Sequence, residues 1–273
     1  METIHIFDEY IENNDNKEFL HKKRLALEPL IYDILKRKYN KLFEEFWQNN
    51  KIDKKTNKSV VLIERRIHPN LNFVLKNMFY YTRDWSITVI CSDTNYNYIK
   101  SISGNNKDNI NIIPLMSGNP TREQAIKEYN NLLKSSEFYN LLPYEHLLIV
   151  QTDTYLRKKI DESIFDYDYV AAPYNWDFSS AGGGMSYRKK SAMIDICNNF
   201  KKDLEMEDGF INEGIKELGY KMPNYLDGMK YVSESCFYVD PMGVHQWWTF
   251  FTEKVEHKEI IFHNYFDLEI LKE

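Results

Sequence analysis

Short apolar runs alternate with longer periodic stretches through most of this chain, and the alternation reads strand, helix, strand. Val60 to Ile63 and Ile87 to Cys91 are apolar-rich runs too short for core helices, each closed by polar residues, so both predict buried strands. Between them, residues 69–82 place Leu71, Val74, Leu75 and Met78 on one helical face. Ile110 to Leu115 predicts a third strand, and a helix over residues 121–135 is announced by Pro120 and by Thr121 with Glu123. Leu147 to Val150 is wholly apolar and is followed at once by Gln151, Thr152 and Asp153. Further on, Tyr169 to Ala172 predicts a strand ending at Pro173, Ser191 to Phe200 a helix, and Glu207 to Leu218 another. A last strand is expected near Cys236 to Val239, before a charged tail that contains Ile260, Ile261 and Phe262.

The first sixty residues follow another rule. Residues 1–16 are polar, an arm or a short edge strand around Ile4, Ile6 and Phe7. From Asn16 to about Asn49 apolar residues recur at three- and four-residue steps with Lys and Arg between them, which predicts helix; Pro29 is expected to divide it in two. Such a stripe fits packing on its own domain better than capture of a partner helix. Gln48 to Ser59, rich in Asn, Lys and Thr, reads as a linker. The expected organisation is a helical extension and linker over 1–58 and one α/β domain, a Rossmann-like mostly parallel sheet flanked by helices, over 59–273.

Composition narrows the class without deciding it. At 43% hydrophobic and 28% charged the chain has the make-up of a folded domain rather than a disordered one. The net charge of −6 is unevenly spread, with twelve Lys or Arg against six acidic residues over 17–58 and an acidic excess elsewhere. The basic part has the spacing of a helix surface and not of a dense patch, which argues against nucleic acid as a partner. Three scattered cysteines, Cys91, Cys197 and Cys236, form no CxxC pair, which argues against a disulfide framework and fits a reducing compartment. No run approaches the roughly 18 apolar residues of a membrane span and the N-terminus lacks a signal-peptide pattern, so the expected location is cytoplasmic.

Four polar clusters then follow one another: Gln151 with Asp153, Gly182 to Ser186, Glu207 with Asp208, and His245. Singly, each has a plain structural explanation. Asp153 could be a turn or cap residue, the glycines a bulge or tight turn, Glu207 and Asp208 a helix N-terminus, and His245 a satisfied core histidine. What singles out Asp153 is its place at the carboxyl end of a buried strand, where open α/β sheets bind ligands. No Gly-x-Gly-x-x-Gly follows the first strand, which excludes the usual dinucleotide fingerprint.

Taken in order, these clusters resemble GT-A glycosyltransferases. More closely, residues 60–250 are similar to an uncharacterised family of glycosyltransferase-like domains, through Glu64-Arg65-Arg66, Leu75-Lys76-Asn77, Tyr129-Asn130, Leu148 to Asp153, Gly182 to Arg188, Glu207-Asp208 and Gly243-Val244-His245. The resemblance implies a GT-A-like fold and transfer of a sugar from a nucleotide-sugar donor, UDP- or GDP-linked, to a hydroxyl of a glycan, protein or small-molecule acceptor. It implies Asp153 and His245 as ligands of Mn2+ or Mg2+, and Glu64, Arg65, Arg66, Asp93, Gln151, Gly183 and Gly184 as donor contacts. It also implies Asp208 as general base in an inverting transfer, with Glu207 as substitute or acceptor contact. The chemistry suits these residue types: a departing nucleoside diphosphate gains negative charge that a cation with hard oxygen ligands stabilises, and arginine pairs with phosphate. Trp176, Trp247 or Trp248 could offer a ring face to a pyranose.

One position departs from the pattern. Gln151 stands where the resemblance places an acidic residue, so one carboxylate and one imidazole would hold an ion weakly until the diphosphate adds oxygens. Two rival functions remain on sequence grounds: a non-catalytic sugar- or nucleotide-binding relic, for which Gln151 is the hint, and a sugar nucleotidyltransferase, against which the glycine-free Glu64 to Pro69 segment speaks.

Overall fold

Apolar strands that alternate their side chains between two faces can be buried only if both faces are covered, and that is the arrangement in a computed structural model of the chain, which describes residues 17–272. Strand β1 is Lys58–Ile63, β2 Ser86–Ser92, β3 Asn111–Met116 and β4 His146–Val150. With β6 (Tyr169–Pro173) and β7 (Ala181–Lys189) they form a six-stranded sheet in the order β3-β2-β1-β4-β7-β6. Only β7 runs against the rest. Val60, Leu62, Leu148 and Val150 face one core; Val61, Ile63, Leu147 and Ile149 face the other.

Helix α1 (Lys17–Asn49) and α2 (Leu71–Tyr81) cover the first face. Helices α4 (Arg122–Leu133), α5 (Ser136–Asn140), α6 (Lys190–Asn199) and α7 (Glu207–Leu218) contribute to the second. The α/β class expected from the sequence, a mostly parallel sheet flanked by helices, is therefore the class observed. The arm expected over residues 1–16 lies outside the described residues.

Several elements differ from expectation. Pro29 does not divide α1, which is one helix of 33 residues. An interior proline costs about 3 kcal/mol, partly through a lost hydrogen bond to the carbonyl four residues back. Here that carbonyl belongs to Leu25, which is 56% exposed and open to water, while Leu27, Ile31, Leu35, Phe43 and Trp47 bury a continuous stripe that holds both halves in line. Helix α3 (Asp93–Ser103), between β2 and β3, was not expected, because its apolar stripe is thin and Ile99 is its one buried aliphatic residue. Its N-terminus carries a capping box, Ser92 with Asn95. The strand expected at Cys236 to Val239 is absent. A second sheet forms instead, in the order β5 (Thr154–Leu156), β9 (Gly243–His245), β8 (Val232–Ser233), with the short helix α8 (Tyr225–Tyr231) just before it. The charged tail folds as α9 (Lys258–Phe266), with Ile261, Phe262, Tyr265 and Phe266 buried. No described helix is long and apolar enough to cross a membrane.

Helix α1 shares the core of the sheet. Tyr32, Phe43 and Trp47 pack in the same cluster as Val60, Phe73, Val89 and Trp248. Its side chains also reach distant backbone: Tyr32 Oη donates to the Thr154 carbonyl at 3.0 Å, Tyr39 Oη to that of Phe266 at 3.0 Å, and Trp47 Nε1 to that of Ser103 at 3.1 Å. Leu35→Ala is accordingly expected to cost about 2–5 kcal/mol in one cooperative transition on chemical denaturation. Two separate transitions would show instead that the helix unfolds on its own.

Candidate functional site

Strand β4 ends at Val150, and the turn Gln151–Asp153 carries the chain from the large sheet into β5 of the small one. Strand β5 pairs antiparallel with β9, Thr154 opposite His245, and Gln246 N donates to the Asp153 carbonyl at 3.0 Å. That register brings His245 beside Asp153 across 92 positions of sequence. His245 Nε2 lies 3.4 Å from Asp153 Oδ1, and His245 Nδ1 lies 3.2 Å from Glu234 Oε2. Both imidazole nitrogens therefore face acceptor-only oxygens, so each must carry a proton or have a cation in between.

Without such an ion the ring is an imidazolium. Burial works against its charge, but Glu234 and Asp153 outweigh burial and push its pKa up to about 10. Asp153 is 3% exposed. Burial would raise its pKa, yet Arg24 and His245 hold it well below the usual carboxylate range. Arg24 comes from α1: its Nη2 lies on Asp153 Oδ2, and Trp248 Nε1 donates to its carbonyl at 3.3 Å. Sequence reasoning missed both Arg24 and Glu234. A lone arginine in a basic helix and a glutamate in an irregular segment carry no pattern of their own.

The three glycines explain themselves here by close approach rather than by backbone dihedral, since none of them has positive φ. Met185 pairs with Val150 on β4, so Gly184 to Gly182 continue past the end of β4 and across the Gln151–Asp153 turn. On the other side Ala171 pairs with Ser186 and Ala172 with Gly182, so Gly183 to Met185 bulge from the ladder. A Cβ on Gly184 would stand 2.1 Å from His245 Cε1, and one on Gly183 would stand 2.1 Å from Glu207 Oε1. A Cβ on Gly182 would meet Tyr174 Cε1 at 2.9 Å and Glu234 Oε2 at 3.0 Å. One strand thus has every side chain removed where three acidic or basic groups close on it.

The two residues opening α7 have different surroundings. Glu207 is buried, and Arg188 Nη2 donates to its Oε2 at 3.0 Å; burial raises its pKa, Arg188 opposes, and the balance is upward. Arg188 is itself fully buried and also donates to Ser186 Oγ and Tyr139 Oη. Asp208 is half-buried; it accepts from Tyr174 Oη, and from Gly209 N at 2.8 Å. Its carboxylate is the more open of the two.

The expected donor contacts divide. Glu64 joins the Asp153 turn through Thr152, whose Oγ1 donates to Glu64 Oε2 at 2.9 Å, and Arg66 grips both oxygens of Glu64 at 2.9 and 2.8 Å. Burial raises the Glu64 pKa, but Arg66 outweighs it and the balance is downward. The capping residues of α3 hold this loop, Asn95 Nδ2 donating to the carbonyls of Glu64 and Arg66. Arg65 turns towards α4, where it pairs with Glu128 and donates to the carbonyls of Ala125 and Ser117. Asp93 opens α3 at the surface. Gln151 lies beside the Tyr129 hydroxyl. A cavity of about 870 Å³ opens between β3, α4 and α5, and none of the site residues expected from the sequence lines it.

The donor set passes a test for a divalent ion in one respect and limits it in another. A histidine with Nδ1 towards one carboxylate and Nε2 towards another has the arrangement of metal-binding histidines, and neither imidazole nitrogen nor Asp153 Oδ1 makes a close hydrogen bond. Among the described residues no group of three or more His, Cys, Asp or Glu is arranged to hold a metal ion, so Asp153 and His245 would be the two protein ligands.

Two outcomes follow from this geometry. Gly184→Ala should displace the His245 ring and cost about 1–3 kcal/mol, read by thermal denaturation together with loss of the His245 imidazole resonance from its wild-type position. Beside Arg24, Glu28 accepts from Asn70 Nδ2 at 2.9 Å, and burial followed by the Asp153 charge raises its pKa from 4.5 to about 7. A carboxyl raised on folding adds stability below pH 4.5 that is lost as pH rises through about 7. Glu28→Gln should therefore raise Tm at pH 8 and change it little at pH 5.

Residues 115–245 match a family described as proteins of unknown function, DUF5672. No curated protein matches the sequence. Among solved structures, the chain is similar to the apo form of the glycosyltransferase GlyE of Streptococcus pneumoniae TIGR4, at 8% identity and a TM-score of 0.45 over 77% of this chain and 60% of that one. A second GlyE structure gives 9% identity and a TM-score of 0.38 over the same shares. The chain thus spans about 60% of the length of the GlyE chains it resembles.

Proposed function

We propose that this protein is a GT-A-type glycosyltransferase that moves a sugar from a nucleotide-sugar donor to an acceptor hydroxyl. One observation carries the reading: His245, Glu234 and Glu207 close on Gly182 to Gly184 at the carboxyl end of β4, with Asp153 joined through His245 and Asp208 through Tyr174. A side-chain-free strand lined by acids, an imidazole and an arginine suits a small polyhydroxylated group and a diphosphate.

In this reading Asp153 and His245 hold Mn2+ or Mg2+, with Glu234 orienting the imidazole. When bound, that ion is a Lewis acid for the departing diphosphate. Arg24 serves the same charge from the protein side. Its Nε is buried without a hydrogen-bond partner, a donor free for a phosphate oxygen. Arg66, exposed beyond its grip on Glu64, is the second phosphate contact, and Gln151 contributes an uncharged amide. Asp208 takes the proton of the acceptor hydroxyl as its oxygen attacks the anomeric carbon in an inverting displacement, with Tyr174 and the Gly209 amide fixing the carboxylate. Glu207 is tied to Arg188 and shapes the floor under Gly183.

A second reading has one observation in its favour. Asp153 already has its charge met by Arg24 and His245, as a binding relic without catalysis would require. Thermal-shift measurements with UDP-, GDP- and CMP-sugars, with and without Mn2+, separate the two. Transfer predicts a Mn2+-dependent shift with one nucleotide that Asp153→Asn removes, and a relic predicts no such dependence. With that donor, Asp208→Asn should lower kcat by about 10²- to 10⁴-fold, and transfer at the wild-type rate would remove the base assignment.

A further inference from the structure

Of the five tryptophans, Trp47, Trp85, Trp247 and Trp248 are buried, whereas Trp176 is 64% exposed. It lies in the connection between β6 and β7. One face of its indole stacks on Tyr174, with centroids 4.5 Å apart and planes 18° from parallel, and Phe250 stands tilted beside it at 6.1 Å. Tyr174 is the residue whose hydroxyl donates to Asp208 and whose ring lies against the Gly182 backbone beside Glu234. One face of an exposed indole thus rests on the ring whose hydroxyl holds the carboxylate assigned as base, and the rest of the indole is open to solvent.

We propose that the acceptor is a pyranoside that lays its C–H face on Trp176, which delivers a ring hydroxyl to Asp208. The proposal rests on the glycosyltransferase reading and adds the acceptor class and its binding residue. A flat apolar face that leads into carboxylates and a phenol matches a sugar, whose ring is apolar on its face and hydroxylated at its edge. A wholly apolar acceptor would offer no hydroxyl for Asp208 to deprotonate. The transfer balances: the acceptor oxygen forms the new bond to the anomeric carbon of the donor sugar, its proton passes to Asp208, and the nucleoside diphosphate leaves with the electron pair of the broken bond.

The test uses the full chain with indole ¹⁵N labelling and three probes: methyl β-glucopyranoside, methyl β-galactopyranoside and N-acetylglucosamine. At least one should move the Nε1–H resonance of Trp176 and leave those of the four buried tryptophans in place, with no response in Trp176→Ala. In the transfer assay Trp176→Ala should raise the acceptor KM about three- to tenfold with a smaller change in kcat, and Trp176→Phe should recover most of the loss. Donor turnover with no pyranoside response at Trp176, or with efficient transfer to a serine peptide by Trp176→Ala, would overturn this inference alone. Pyranoside binding at Trp176 with no turnover of any nucleotide sugar would overturn the transferase reading and the acceptor role with it.

Discussion

The carboxylate of Asp153 is almost sealed from water, and the structure around it answers that charge. An isolated buried carboxylate costs several kcal/mol unless paired, and the partners here are far apart along the chain: Arg24 in α1 and His245 in β9. The answer is mechanical as well as electrostatic. Arg24 reaches Asp153 because α1 is seated by Tyr32, which donates to the Thr154 carbonyl, by Trp248, which donates to the Arg24 carbonyl, and by Lys23, which donates to that of Phe251. Docking of the helix and charge balance in the site are one linked equilibrium, so a change in either is felt by the other.

Strand β7 supplies the second constraint. It is the one reversed strand of the large sheet, and its glycine end crosses the site while its Arg188 end lies in the core against Glu207, Tyr139 and Tyr169. The buried Arg188–Glu207 pair fixes where α7 begins, and so where Asp208 stands. Neighbouring acids are thereby given different work. Glu207 is paired with Arg188 and enclosed, whereas Asp208 is only half-buried. Glycine is needed because imidazole, carboxyl and phenol rings approach the backbone to within the space of a Cβ.

Much of the sheet could be read directly, since a run such as Leu147 to Val150 is legible wherever it occurs: burial on both faces demands unbroken apolar sequence. Elements held by polar contacts were harder to see. Helix α3 is anchored by Ser92 and Asn95 on the Glu64–Arg66 loop rather than by an apolar stripe, and the three-residue strand β9 exists because β5 and β8 flank it. Pro29 misled because a local rule on helix interiors was outweighed by a long-range one, the burial of residues on both sides of it against the sheet.

By itself the sequence determined the strand-helix alternation, the α/β class, and the order in which Asp153, the glycines, Glu207 with Asp208, and His245 appear, because hydrophobic period and residue chemistry are local properties. That Arg24 and Glu234 join them, that Arg65 turns away to Glu128, and that Trp176 alone of the tryptophans stays in water were decided by the tertiary structure. The reason is that partners of a buried charge are chosen by distance in space, and strand register and helix docking set that distance between residues with no relation along the chain.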